Sequence, residues 1–340
     1  MKRVRIPEIA QLAGVSTATV DRVLHGRGGF SAKSAEKVKS AIEQLGYKVA
    51  GDRFLQPQKQ LIQMSLFIPT NNRHQREAIE TEAHAAAVRL CDAHVQLDVH
   101  DIGMFDCKQT VEALRGVDTD VTDCVCLFAI DAPGVREAID QLVNDGVHVC
   151  TLMSDVPTSR RFAYVGPDNV SAGRTAGRMI GRFLKEPRGT VGIITGSNQI
   201  RDHIERCMGL TQSLSMHQPD LLMLPASEGH GSHELTEKLT KALLEDHPDL
   251  VALYSTAAGN EGIVKALRNS GRAESTLLVV HELDSVTRNG LSDGTIDLVL
   301  HHDTNLMMRA AIEALVDAVR GRVTRLPAIP INLFVAENLP

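Results

Sequence analysis

The side chains between Ser16 and Arg22 have the chemistry of a surface that contacts duplex DNA. The guanidinium of Arg22 can donate two hydrogen bonds to a guanine or hold a phosphate. Thr17 and Ala18 are short, which suits close approach of a helix and contact with a thymine methyl. Ser16 suits the N-cap of a helix, where its hydroxyl satisfies an unpaired backbone N–H. These residues predict a short helix with an outward face that reads bases.

A preceding helix and a glycine turn are needed to hold that face outward. Gly14 can adopt the positive φ that ends a helix. The apolar residues on both sides of it recur at helical spacing, at Ile6, Ile9, Ala10 and Ala13 and then at Val20, Val23 and Leu24. Two short helices around a tight turn predict a helix-turn-helix, which places its second helix in the major groove. A small helical bundle that binds no DNA is the alternative.

A third helix begins at Ser31 and completes a small core. Its apolar positions are Ala35, Val38, Ile42 and Leu45, and Gly46 is the expected stop. Residues 48–60 are polar, contain Pro57 and lack periodicity, so they are predicted to be a linker. The predicted organisation is a head over residues 1–47, a hinge linker over 48–60 and a larger body over 61–340.

The charge of the chain is divided between these parts. The net charge is −6, yet residues 1–60 hold 11 Lys and Arg against 5 Asp and Glu. The remaining residues hold 25 basic against 37 acidic side chains. A basic head can bind phosphate locally although the whole chain is acidic.

The body alternates short apolar runs with helical stretches, which predicts βαβ units and parallel sheets, an α/β fold. The predicted strands are Ile62–Ile68, Val95–Val99, Cys124–Ala129, Val147–Leu152, Val191–Thr195, Leu221–Leu224, Val251–Tyr254, Leu277–Val280 and Ile296–Leu300. The predicted helices are Glu77–Leu90, Val135–Val143, Ala172–Leu184, Leu235–Leu244, Glu261–Leu267 and Met307–Val319. The number of strands suits two sheets, and such sheets bind ligands beyond the carboxyl ends of their strands.

Several classes of protein are disfavoured by the sequence. It has no apolar run long enough for a membrane span and no apolar signal segment, so we expect a cytoplasmic protein. The six cysteines lack zinc-site spacing and are expected to be buried, reduced thiols. The histidines of His230–His233 and of His301–His302 have no helical i, i+4 pair, which disfavours a metal site. No acid–base constellation emerges, and no cofactor is expected.

The chain resembles the LacI family of bacterial transcription regulators. The densest resemblance is IAQLAGVSTATVDRVLHG followed by SAKSAEKVKSAIEQLGY, between Ile6 and Tyr47. In the body, TLMSDVPTSRRFAYVGPDNVSAGRTAG, HIERCMGL, GNEGIVKALRNSG and INLFVAENLP resemble the periplasmic-sugar-binding-protein-like (type I) module of that family. The resemblance implies two subdomains, with crossings near residues 155–168 and 282–303.

For DNA, the resemblance implies a dimer, possibly a tetramer, whose two heads occupy the half-sites of a near-palindromic operator. It assigns DNA contact to residues in or beside the second helix: Ser16, Thr17, Ala18, Thr19 and Arg22. Asp21 departs from the serine usual in the family and repels phosphate unless it is paired. Phe54 or Leu55 is the candidate apolar wedge of a hinge helix. Gly51 weakens such a helix.

The resemblance also implies a small effector, a sugar or a polyol, bound between the two subdomains. The effector contacts that it assigns are Asn72, Arg73, His74, Asp155, Arg206, Asn260, His281, Glu282 and His302. For Asp155 the alternative is a surface turn, and for Arg206 it is a structural ion pair through Glu205. Aromatic cover for a sugar ring is scarce in a chain without Trp, and Phe105, Phe128 and Tyr254 are the candidates.

The function expected from these features is that of a ligand-responsive, DNA-binding transcription regulator. We expect a repressor rather than an activator. A solute-binding protein of a sugar transporter would share the body, but it would need an export signal and would have no use for a basic head. A sugar-handling enzyme is the second alternative.

Overall fold

The computed structural model describes residues 5–25, 29–45, 61–69, 73–90, 94–103, 105–186 and 188–340. The chain divides into two compact units. Unit 1 comprises Met1–Val165 and Thr304–Pro327, and unit 2 comprises Gly166–Asp303 and Ala328–Pro340. The chain therefore passes between the units at three points. The linker segment 48–60, with Phe54 and Leu55, lies outside the described residues.

The head forms three helices, namely α1 (Ile6–Ala13), α2 (Thr17–His25) and α3 (Ala32–Gln44). Gly14 ends α1 with φ of 64°, as the turn requires. The hydroxyl of Ser16 accepts from the Thr19 N–H over 3.1 Å, and Ser31 caps α3 in the same way through Ser34. The predicted apolar positions pack into one core, which confirms the helix-turn-helix pattern.

The remainder of unit 1 is a parallel sheet in the order β2-β1-β3-β4-β5, with helices packed on it. Its strands are β1 (Leu61–Pro69), β2 (His94–Ile102), β3 (Cys124–Leu127), β4 (His148–Leu152) and β5 (Ala163–Val165). Its helices are α4 (Arg73–Arg89), α5 (Cys107–Arg115), α6 (Pro133–Asn144) and α12 (Thr304–Val319).

Unit 2 is a second, mainly parallel sheet in the order β12-β11-β10-β9-β6-β7, and β8 pairs with β6. Its strands are β6 (Gly189–Thr195), β7 (Leu221–Met223), β8 (Ser227–Glu228), β9 (Leu250–Ser255), β10 (Leu277–His281), β11 (Leu298–His302) and β12 (Ile331–Phe334). Its helices are α7 (Asn169–Phe183), α8 (Arg201–His217), α9 (His233–Asp246), α10 (Asn260–Asn269) and α11 (Ser285–Ser292), followed by a short 3-10 turn at Ala336–Asn338.

The predicted α/β architecture with parallel sheets is confirmed, whereas the sequence analysis did not identify several short or weakly patterned elements. Among these are α5, α11, β5, β8 and β12. The edge strand β12 runs antiparallel to β11 and is only partly buried, so it lacks the continuous apolar run of the central strands. Within the described residues, no helix has both the length and the apolar character needed to cross a bilayer.

Candidate DNA-binding and effector-binding sites

The outward face of α2 is available for contact. Thr17, Ala18 and Arg22 are exposed, while Val20 and Val23 are buried against α1 and α3. Thr19 is half-buried and shares a hydrogen bond with the Ser16 hydroxyl at 2.9 Å. Arg22 donates from Nη1 to the carbonyl of Gly29 over 3.1 Å, so its side chain also contacts the backbone that precedes α3. All five residues assigned to DNA contact thus lie at the capped start or on the exposed side of one short helix.

Unit 2 gathers most of the predicted effector residues at one edge of its sheet. The strands β6, β9, β10 and β11 are neighbours and parallel, so their carboxyl ends meet at the same edge. His281 and His302 are the last residues of β10 and β11, Glu282 follows β10, and Asn260 begins α10 after β9. Arg206 reaches this edge from the adjacent α8.

Arg206 is the buried centre of this edge, with 4% of its surface exposed. It donates to the carbonyl of Thr256 over 2.6 Å and to the Asn169 amide oxygen over 3.0 Å. Its Nη2 lies 3.5 Å from a carboxylate oxygen of Asp202, one helical turn away. The structural ion pair considered as the alternative is thus present, but with Asp202, while Glu205 pairs with Arg201 at 2.7 Å.

The position of Arg206 depends on a very close crossing of α7 and α8. A Cβ atom added at Gly173 would lie 2.0 Å from the Arg206 carbonyl oxygen. One added at Gly209 would lie 2.1 Å from the Val170 carbonyl oxygen. Neither distance is possible for a real side chain, so both glycines are required for the two helix backbones to meet.

The imidazole of His281 is held in place by a hydrogen bond with a buried tyrosine. The Tyr254 hydroxyl and Nε2 of His281 lie 2.7 Å apart, and both residues are buried. Asn260 donates from Nδ2 to the His281 carbonyl over 3.3 Å. This bond engages the amide nitrogen of Asn260, and its Oδ1 has no hydrogen-bond partner among the described residues.

Glu282 lies between two imidazoles and has a strained backbone. Its φ of 69° is in the left-handed region, which a non-glycine residue rarely adopts. Its carboxylate oxygens lie 3.1 Å from His302 Nε2 and 3.5 Å from His301 Nδ1, and 29% of its side chain is exposed. Burial raises the pKa of this carboxyl, but His302, His301 and Arg206 lower it, and the net pKa is below the ordinary value. Glu282 is therefore ionised at neutral pH.

The buried histidines of the site are held neutral. Burial lowers the pKa of His281 well below its ordinary value, and the charge of Arg206 acts in the same direction. Burial also lowers the pKa of His302 and of His203, in each case against the opposing influence of a nearby carboxylate. The fixed charges of this edge are therefore those of Arg206, Asp202 and Glu282.

Three buried polar atoms of this edge have no hydrogen-bond partner among the residues that the structure describes. They are Oδ1 of Asp202, Oδ1 of Asn260 and Nε2 of His302. The last is close to Glu282, but at an angle that forms no hydrogen bond. An unsatisfied buried acceptor costs about 1–3 kcal/mol, so the arrangement favours a ligand that supplies donors.

The other predicted effector residues are in unit 1. Asp155 is neither a free acceptor nor an exposed turn residue, because it forms a two-pronged ion pair with Arg161 and accepts from Thr151 over 2.7 Å. Asn72 lies outside the described residues, as do the side chains of Arg73 and His74 at the start of α4. The aromatic candidate Tyr254 cannot cover a sugar ring, since it is fully buried and bonded to His281.

Sequence reasoning missed the partners that hold this site together, chiefly Asp202, Asn169 and Thr256. The spacing of Asp202 and Arg206, four residues apart on one helix, was a usable signal for an ion pair. Asn169 and Thr256 are distant in sequence and carried no such signal.

Three of the five described cysteines are buried as expected, and two are less buried than expected. Cys124, Cys126 and Cys150 are buried and reduced, and Cys107 and Cys207 are half-buried and reduced. Cys91 lies outside the described residues. Within the described part of the chain, no group of three or more His, Cys, Asp or Glu side chains is arranged to hold a metal ion.

Two family models match this chain, one over the head and the other over the body. Residues 5–49 match the bacterial regulatory proteins of the lacI family. Residues 106–322 match the periplasmic binding protein domain. The two matches agree with the helical head and with the two-sheet body described above.

One curated relative matches nearly the whole chain, and others match a short stretch of it. The chain is 24% identical over 351 residues to the HTH-type transcriptional regulator CelR of Thermobifida fusca, covering 99% of this chain and 97% of that protein. It is 46% identical over 46 residues to the maltose regulon regulatory protein MalI of Escherichia coli K12, a match of 14% of each chain. The strongest local identity thus has the length of the head.

Among solved structures, the body is similar to GanP, a glucose-galactose binding protein from Geobacillus stearothermophilus. The TM-score is 0.76 at 24% identity, covering 83% of this chain and all of that chain. At this identity the likeness shows the fold. The chain belongs to the periplasmic binding protein domain family and carries the helix-turn-helix head of the bacterial lacI regulators at its amino terminus.

Proposed function

We propose that this protein is a transcription regulator that acts as a repressor. It binds operator DNA through its head and responds to a sugar or polyol. One observation carries the proposal: a capped helix with an exposed reading face belongs to the same chain as a sheet edge with unsatisfied buried acceptors. The first feature suits duplex bases, and the second suits a small hydroxylated ligand. We place the protein in the cytoplasm, where both partners are accessible.

The polar atoms of unit 2 support a ligand with several hydroxyl donors. Asp202 and Asn260 each present a buried, unpartnered acceptor, and Glu282 adds a partly exposed carboxylate. The only cation among the fixed charges of this edge as described, Arg206, is already engaged by three partners. A phosphate or carboxylate would therefore meet two acidic groups without an uncommitted cation, whereas neutral hydroxyls satisfy the acceptors. GanP, which shares the fold, is described as a glucose-galactose binding protein.

The head supports binding as a dimer to a near-palindrome. One short helix offers few base contacts, and two heads on two half-sites multiply them. Effector and operator binding are then coupled reciprocally, typically by about 1–3 kcal/mol. The names of MalI and of the sucrose operon repressor of Streptococcus mutans fit a regulator that responds to a carbohydrate.

A mobility-shift assay with promoter DNA from the neighbourhood of the protein's own gene, over a salt series, tests the DNA function. We expect binding that weakens steeply as salt rises, because neutralised phosphates release counterions. A random duplex of equal length and composition is the control. Equal affinity for both duplexes, or no binding, would favour a solute-binding protein that shares the body.

A thermal-shift screen tests the effector. Neutral sugars and polyols are compared with their phosphate esters, and a ligand at 100 times its Kd is expected to stabilise by about 2.7 kcal/mol. Stabilisation by the ester but not by the parent sugar contradicts the assignment of a neutral effector. Turnover of a stabilising sugar contradicts a regulator and favours an enzyme.

A further inference from the structure

We propose that the turn Asp118–Asp123 of unit 1 is a docking surface for the DNA-binding head of the same chain. It gives the head a second attachment to the body, separate from the chain segment between α3 and β1. The docked segment is the start of α3, residues 31–34.

The docking contact is a set of hydrogen bonds centred on one carbonyl. The Ser31 N–H donates to the Asp120 carbonyl over 3.0 Å, and the Ser34 hydroxyl donates to the same oxygen over 3.1 Å. Both serines are only 2% exposed. Nζ of Lys33 donates to the carbonyl of Asp145, at the end of α6 beside the same surface. The contact thus uses a helix start and a side-chain cation against backbone acceptors.

The body side of the contact is acidic, and the head side carries Lys33 together with Glu36, which lines the same pocket as Thr119 and Asp123. The turn carries Asp118, Asp120 and Asp123, and Asp145 lies at the neighbouring helix end. The start of α3 carries Lys33, whose side chain reaches the body. The positive end of the α3 helix dipole lies at the same helix start. An acidic surface is a suitable partner for both features.

The same turn also holds the first strand of the body. The Gln63 N–H donates to Oδ2 of Asp123 over 2.9 Å, and the Asp123 N–H donates to the Gln63 carbonyl over 2.9 Å. The turn is stiffened internally, because Oδ1 of Asp118 accepts from the Asp120 N–H over 3.0 Å. Asp120 and Asp123 therefore tie the head and β1 to one short stretch of chain that leads into β3.

The docked head keeps its reading face free. Thr17, Ala18 and Arg22 are exposed while Ser31 and Ser34 are buried. The contact therefore leaves the proposed DNA-contact side chains uncovered. A shift of the β1–β3 pair that moved the turn with it would be passed to the head through Asp120.

Hydrogen exchange of the full-length protein, without DNA or ligand, tests the docking. In the unsubstituted protein we expect the Ser31 amide to be protected. Lys33→Glu places a carboxylate opposite the Asp145 carbonyl and should accelerate exchange of that amide by about tenfold, the effect of losing about one hydrogen bond. Ser34→Ala, which removes the donor to Asp120, should accelerate it in the same direction.

Lys37→Glu is the matched control, since it makes the same charge change one turn further along α3. Lys37 lines a groove between α1 and α3 that Leu12, Lys33 and Gln44 also line. It should leave the Ser31 amide protected, and the core amides of Val38 and Ala41 should exchange as before in each variant. An unprotected Ser31 amide, or equal acceleration by Lys33→Glu and Lys37→Glu, overturns the proposal. If Lys33→Glu also exposes Val38, the result for Ser34→Ala decides, and no acceleration in that variant overturns it. Because neither DNA nor effector is present, failure here is distinct from failure of the proposed regulatory function.

Discussion

The hydroxyl of Tyr254 lies 2.7 Å from Nε2 of His281, and both side chains are buried in unit 2. Burial raises the pKa of the tyrosine far above its ordinary value and lowers that of the histidine. Both groups are therefore neutral, and the pair is an uncharged hydrogen bond beneath the proposed effector site. This hydrogen bond fixes the orientation of the His281 imidazole. The His281 carbonyl in turn accepts from the amide of Asn260 and so orients that amide.

Tyr254→Phe should destabilise the protein by about 1–3 kcal/mol, because it leaves a buried imidazole nitrogen unpartnered. Thermal unfolding measures the effect. The matched control is Tyr164→Phe, which removes a less buried hydroxyl that donates to the Met153 carbonyl over 3.0 Å. We expect the control to cost less. An equal loss in both variants would contradict the structural importance of the Tyr254 hydroxyl.

Arg206→Met should be among the most damaging single substitutions in unit 2. It leaves the buried Asp202 carboxylate without its cationic partner. Breaking a buried ion pair in this way costs about 3–5 kcal/mol. Arg201→Met, on the partly exposed pair with Glu205, should cost about 0–1 kcal/mol. Adding Asp202→Leu to Arg206→Met should recover part of the loss, as measured by denaturant unfolding. No recovery would show that the Asn169 and Thr256 bonds, rather than the charge pair, dominate.

Stability should fall as the pH drops below about 6.5, the ordinary pKa of histidine. The unfolded chain binds protons there, whereas His281 and His302 stay neutral in the fold because burial lowers their pKa. Their contribution is therefore unchanged above pH 6.5 and becomes destabilising as the pH falls toward their folded-state pKa values. Melting temperatures between pH 8 and pH 5 measure this dependence.

His302→Gln should reduce that pH dependence, and His84→Gln on the exposed side of α4 is its matched control. Glu282 acts in a separate, more acidic window. Its pKa is lowered in the fold, so its stabilising contribution is present above the ordinary value of 4.5 and is lost as the pH falls below it. A pH profile that His302→Gln leaves unchanged would argue against a buried neutral imidazole.

The two proposed sites should be separable by substitution. Arg22→Ala should weaken operator binding by about 1–3 kcal/mol and leave effector-induced thermal stabilisation intact. Glu282→Ala should retain operator affinity and lose the response to effector, since it removes a carboxylate from the sheet edge. Mobility shift and thermal shift, applied to both variants, measure the two effects. Loss of folding in both variants, or loss of both activities in either one, contradicts the division of roles.

The head was predictable in detail because its signals are local. Gly14, Ser16 and Ser31 each act within a few residues along the chain, and the apolar spacing determines which side of each helix is buried. The central strands were predictable for a similar reason, since strands buried on both faces are continuous apolar runs. Edge strand β12 and the short α11 have weaker patterns and were missed.

The candidate site was only partly predictable. Glu282 and His302 stand at strand ends, where an open parallel sheet binds its ligand, and this position agrees with the contacts that the family resemblance implied. The ion pair of Asp155 with Arg161 and the hydrogen bond of Tyr254 with His281 depend on pairing across strands and loops. A pattern of residue types carries no information on such partners, and for this reason the availability of Asp155 and of the Tyr254 ring was misjudged.

The contact of backbone against backbone at Gly173 and Gly209 has a practical consequence for engineering. Any attempt to change the ligand preference of the proposed effector site by randomising Asp202, Asn260, Glu282 and His302 should hold these two glycines constant. A methyl group at either one would push α8 away from α7 and displace the guanidinium from its carbonyl and amide partners. Library members with that change would be lost as misassembled protein, whatever specificity their remaining residues encode.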